Sequence, residues 1–127
     1  MPPLGLLYLL AAALALALGI AHSFLGEKYI LIRLFRRDDL PKLFGGTEFT
    51  VRTLRFAWHL TSVAWWGAAA LLFLLAQGPI SSASVSGVLA VMFLVSAGVT
   101  LIASRGRHLA WPVLLVIGFI ALYGARV

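Results

Sequence analysis

The chain contains no cysteine, which excludes a disulfide framework, a thiolate metal site and a redox thiol. Charge is scarce as well. Only 11% of the 127 residues are Asp, Glu, Lys or Arg, while 62% are hydrophobic, and a water-soluble domain of this size needs more polar surface than that. Acids are rarest of all: Glu27, Asp38, Asp39 and Glu48 are the complete set. None of them, and no Lys or Arg, falls near the middle of an apolar run. That argues against an ion pathway or a proton-coupled carboxylate in a membrane. There is no internal repeat, no low-complexity tail, and no HxxxH or ExxH pair.

What the chain does have is four apolar runs, at about 4–25, 54–76, 85–104 and 109–123. A bilayer core needs about 20 apolar residues in helix. The sequence therefore predicts an all-α integral membrane protein, an up-and-down four-helix transmembrane bundle forming a single domain over 1–127. Helix from the first run is expected to continue amphipathically through Tyr29, Ile30, Ile32 and Leu34 to Arg37. Gln77-Gly78-Pro79 breaks the second helix, with Ser81, Ser82, Ser84 and Ser86 offering caps for the third. The first run is expected to remain as a span and not to be cleaved as a signal peptide. Met1-Pro2-Pro3 carries no Lys or Arg, and the run leads into Glu27 and Lys28 instead of a small-residue cleavage site.

Orientation follows from charge. Lys28, Arg33, Arg36, Arg37, Lys42, Arg52 and Arg55 lie between the first two spans, Arg105 and Arg107 lie between the last two, and only Arg126 lies on the other side. The positive-inside rule makes the crowded face cytoplasmic and puts both termini on the periplasmic or extracellular side. The net charge of +6 is thus expected to serve a membrane rim, with no nucleic-acid partner. This bias also argues against small four-span exporters and fluoride channels, which often insert both ways with nearly balanced loop charge. In the cytoplasmic loop, about 36–53, Asp38 or Asp39 can cap a short helical turn that carries Pro41 and ends at Gly45-Gly46. Thr47 or Thr50 can cap the second span.

Chemistry rests on histidine. His22, His59 and His108 sit on three spans, each toward the cytoplasmic end. At about 100° per residue, His22 shares an arc with Ala11, Ala15, Gly19, Ser23 and Gly26, small residues that admit a neighbouring helix. Ala13, Ala17 and Ala21 make the opposite side small too. His59 shares a polar stripe with Arg52, Arg55, Ser62, Trp66 and Ala70, which is expected to face inward. Ser96, Thr100 and Ser104 line the third span once per turn.

Three readings follow. Imidazole suits zinc, copper and iron, so His22, His59 and His108 are candidate ligands for a transition metal, and two of them for haem. A basic cytoplasmic-leaflet pocket built from those histidines with Arg55, Ser62, Trp66 and Glu27 can instead hold a lipid or quinone head group. In the third reading the same residues serve packing. Glu27 pairs with Lys28 or Arg55, Ser62, Ser96 and Thr100 join helices, and the chain is a non-catalytic accessory subunit of another membrane protein. That third function is the one expected, with cofactors not required. No nucleophile–base constellation is legible, and the Leu/Ala-rich composition fits a bacterial inner membrane.

Overall fold

The computed structural model describes residues 3–127. Met1 and Pro2, part of the uncharged start read above, lie outside the described residues. The chain is all-helical. Helix α1 runs Pro3–Leu34, α2 Glu48–Gln77, α3 Ser82–Ala103 and α4 Ala110–Gly124. The first three are long and apolar enough to cross a membrane, as a helical membrane bundle requires. The fourth is equally apolar but has only 15 residues, a length of about 22 Å against a hydrocarbon core of about 30 Å.

Helix ends and apolar runs do not coincide. Helix α2 starts at Glu48, directly after the expected cap position Thr47 and six residues before the apolar run at 54. Its polar foot is held by Arg52, whose Nε donates to Glu48 Oε1 one turn away at 2.9 Å. Helix α3 begins at Ser82, where the Ser81 hydroxyl accepts the Ser84 backbone N–H at 3.0 Å, an N-cap of the kind expected. Helix α1 continues past its apolar part, as predicted, but stops at Leu34. Between Gly26 and Leu31 it widens into a π-helical segment, a form that is rare and tends to mark functional positions.

The expected helical turn after Asp38 does not form. Arg37 takes Asp39 in a two-bond fork at 2.8 and 2.6 Å, so that aspartate caps nothing. Residues Leu43 to Gly46 make a tight turn instead, closed by N–H···O bonds of 2.8 and 3.4 Å, with Phe44 and Gly45 at φ 56° and 89°. The Thr50 hydroxyl donates to Pro41 O at 2.8 Å and ties this loop to the foot of α2. Thr47 precedes α2 without a side-chain cap bond.

Successive helices run antiparallel, and contact partners show it. Trp66 and Trp58 of α2 reach the α1 carbonyls of Leu16 and His22, so numbering rises along one helix as it falls along the other. Among the described residues, α1 packs on α2, α2 on α3, and α3 on α4, but α1 meets neither α3 nor α4. The bundle is thus a row with two free edges and not a closed ring. Close approach depends on small residues. A side chain at Gly118 of α4 would strike Leu94 of α3 at 2.7 Å, and one at Gly67 of α2 would strike the Met92 sulfur of α3 at 2.7 Å.

Candidate functional site

Polar side chains converge where α1 widens. Glu27 is the second residue of the π-helical segment, and Ser23 lies one α-turn before it. From α2, Arg55 and His59, also one turn apart, face them. Arg55 Nη2 meets Glu27 Oε1 at 2.9 Å, and its guanidinium lies over the Phe35 ring at 4.9 Å from the centroid. His59 Nε2 lies 3.2 Å from Glu27 Oε2 and His59 Nδ1 lies 2.9 Å from Ser23 Oγ. Ser23 Oγ in turn is 2.7 Å from Ser62 Oγ, and Ser62 is fully buried.

One proton arrangement satisfies this whole chain. Ser62 donates to Ser23, Ser23 donates to His59 Nδ1, and His59 Nε2–H donates to the Glu27 carboxylate. The sequence offered Lys28 or Arg55 as the partner of Glu27, and the structure has Arg55. The part of Ser23 was not legible in the sequence. It shares the predicted small-residue arc of His22, but nothing in a linear sequence says which residue of α2 will stand opposite it. The result is a Ser–His–Glu array in which the serine already has partners on both sides, Ser62 and His59.

The other sequence-predicted residues go elsewhere. His22 stacks on Trp58 with centroids 4.5 Å apart and planes 2° from parallel, and meets the edge of Trp65 at 4.9 Å. Its Nε2 is buried without a hydrogen-bond partner. This pair forms one wall of a groove of about 450 Å³, bordered by Leu18, Ala21, Tyr29 and Ile30. His108 lies in the turn just before α4. Its Nδ1 accepts the Ala110 N–H at 3.2 Å, and its ring stacks on Phe49 and meets the edge of Phe56. Trp66 donates to Leu16 O at 3.2 Å, so it serves the α1–α2 seam as a packing residue. Arg52 leaves the stripe it shares with His59 and donates to Ala103 O at 2.9 Å, at the end of α3.

No family model, curated protein or solved structure matches the chain. Geometry is therefore what bears on function. Among the described residues no group of three His, Cys, Asp or Glu side chains is placed to hold a metal ion. The three imidazoles are committed to three separate neighbourhoods: a tryptophan stack, the Glu27 array and the turn before α4. Ligation of a metal or haem by these residues gains no geometric support, and neither group enters the reading below.

Proposed function

We propose that the protein is a non-catalytic, multi-pass accessory subunit that packs against another membrane protein. On this reading all four helices cross a bacterial inner membrane, the arginine-rich end is cytoplasmic, and both termini lie outside. The length of α4 is accommodated by a modest local thinning of the bilayer. The polar side chains of the Ser23, His59 and Glu27 array are consumed in holding α1 to α2. A self-satisfied network of this kind specifies one arrangement of two helices and leaves little to offer a substrate.

The observation that carries the proposal is the free edge of the row. On α1, Ala13 and Ala17 are exposed and Ala21 is half-buried, at four-residue spacing. Among the described residues, no helix lies against α1 except α2. In lipid, small residues at that spacing let a second helix approach closely, and packing then drives association. The test is affinity purification from the native host in mild detergent, comparing the natural chain with Ala17→Leu and with Ile120→Leu on the opposite edge. A stoichiometric partner lost only with Ala17→Leu is the expected result. A particle containing this chain alone, unchanged by either substitution, overturns the proposal.

A second reading is favoured by the groove beside His22. Two parallel rings beside an apolar trough suit a planar head group such as a quinone, with its tail in lipid. An organic extract of purified protein that contains such a molecule, lost on His22→Ala and also tested on His59→Ala, supports it. An extract containing only bulk phospholipid ends it.

A further inference from the structure

The turn between α3 and α4 carries more positive charge than the protein answers. Arg52, Arg105 and Arg107 line one concavity with a single carboxylate, Glu48. Glu48 accepts from Arg52 Nε at 2.9 Å and stands 3.6 Å from Arg105. Arg52 also donates to Ala103 O. Arg107 is exposed and has no acidic partner among the described residues. The guanidiniums of Arg105 and Arg107 are thus open to a further anion. Apolar side chains flank the same turn. Ile102 precedes it and Leu109 follows it, 78% and 80% exposed. Phe44, 81% exposed, shares a second concavity with Arg107. Its ring is held edge-on against Phe49 at 5.0 Å, and Phe49 stacks on His108.

We propose that this turn docks one anionic phospholipid, its phosphate on Arg105 and Arg107 and its acyl chains against Phe44 and the apolar flanks of the turn. Charge and depth together select this occupant. A guanidinium takes a phosphate through two parallel N–H···O bonds, so two open guanidiniums match one phosphodiester. Glu48 stays with Arg52, which leaves the surplus positive. In a spanning bundle the exposed Ile102 and Leu109 lie against hydrocarbon. Arg105 follows Ile102 by three residues and Arg107 precedes Leu109 by two, about 3–5 Å of helical rise. Both side chains therefore reach the depth of the lipid phosphates. A water-soluble anion would match the charge but leave Phe44, Ile102 and Leu109 uncovered. A zwitterionic lipid would cover them but bring its own cation to the arginines. The inference rests on the membrane-spanning reading, but on neither its orientation nor the accessory role.

The test is native mass spectrometry of the full chain released from detergent micelles. It is titrated with phosphatidylglycerol, with phosphatidylcholine of the same acyl chains, and with glycerol phosphate, which offers the anion without the chains. Phosphatidylglycerol is expected to bind more tightly than either. Arg105→Gln combined with Arg107→Gln is expected to weaken it about 30-fold, the joint effect of two arginines near an anionic surface. The same pair is expected to leave phosphatidylcholine unchanged. Arg107→Gln alone keeps the test open if the double variant misfolds, with an expected loss of about five-fold. Arg36→Gln removes an equally exposed cation elsewhere and is expected to change binding little. Phe44→Ser is expected to weaken both lipids and not glycerol phosphate. Equal binding of the two phospholipids, or a loss as large with Arg36→Gln, overturns the site alone. Glycerol phosphate bound as tightly as the lipid would show a soluble-anion site and overturns the lipid docking. A chain that stays dissolved without detergent overturns the site and the membrane-spanning reading together.

Discussion

The indole of Trp58 occupies the space a side chain at position 26 would need, and its N–H reaches past Gly26 to the carbonyl of His22 at 3.0 Å. The α1–α2 seam is therefore built on a missing side chain just where α1 enters its π-helical segment. Gly26→Ala forces either the tryptophan or the helix to move. It is expected to destabilise the protein by about 1–3 kcal/mol, the usual cost of overpacking. Unfolding in a mixed detergent titration measures this. Gly98→Ala, where an added Cβ meets nothing within 4 Å, is the control and is expected to be neutral or better.

Glu27 and Arg55 lie on opposite helices with side chains 32% and 43% exposed. Water and salt reach them, so their coupling is modest. A double-mutant cycle with Glu27→Gln and Arg55→Gln is expected to give about 0.5–1 kcal/mol, falling as ionic strength rises. A coupling of zero at low salt would show that the two groups serve other partners.

Ser62 has no such access to solvent. Ser62→Ala removes its bond to Ser23, which costs about 0.6 kcal/mol on the scale measured between membrane helices. Ser62→Leu also inserts bulk at a fully buried position and is expected to cost about 1–3 kcal/mol. Unfolding titrations of the two variants separate the hydrogen bond from the packing. A Ser62→Ala variant as stable as the natural chain would mean that the hydroxyl contributes nothing, and equal losses that the added bulk costs nothing.

Much of this architecture was legible in the sequence. Hydropathy located all four helices, and the arc of Gly19, Ser23 and Gly26 marked one of two small faces of α1 that could admit a neighbour, the one α2 occupies. For Glu27 the sequence narrowed the partner to Lys28 or Arg55, because all three sit at the same end of the apolar runs. What escaped were outcomes of opposition across helices. Nothing local says that Trp58 rather than His59 will stack on His22, or that Arg52 will turn to Ala103 O while Arg55 turns to Glu27. Each depends on the rotation of α2 relative to two neighbours. The polar foot of α2 was legible in part: Thr47 or Thr50 marked where it could begin, but the Glu48–Arg52 pair that holds its first turn was not foreseen. The row of helices was hidden as well, since four short-linked spans are compatible with a ring or a row.

The loop pair offers a test at low pH. Arg37 hydrogen-bonds Asp39, and with its positive charge this holds the Asp39 carboxyl below its ordinary value. A carboxyl whose folded value is depressed contributes stability above the unfolded value and loses it as pH falls through the folded one. Carboxyl NMR of the folded protein is thus expected to show Asp39 titrating below the ordinary aspartate value of 3.8, and Arg37→Gln is expected to move it upward. Both side chains are largely exposed, so overall stability is expected to change little. An Asp39 midpoint unmoved by Arg37→Gln would show that the fork does not persist in solution.

Topology tests the frame on which the proposed function stands. Absence of cysteine makes single-cysteine labelling clean, because every signal comes from the introduced thiol. Lys42→Cys, in the loop between α1 and α2, is expected to resist a membrane-impermeant maleimide in intact cells and to react once the membrane is opened. Val127→Cys is expected to react in intact cells. The two positions are separated by three helices, α2, α3 and α4, so opposite labelling requires an odd number of crossings between them. If α4 merely lay along the surface, α2 and α3 alone would bring the chain back, and Lys42→Cys and Val127→Cys would label alike. That result would leave three spans, put the two ends of the chain on opposite sides, and remove the four-crossing arrangement from the proposal.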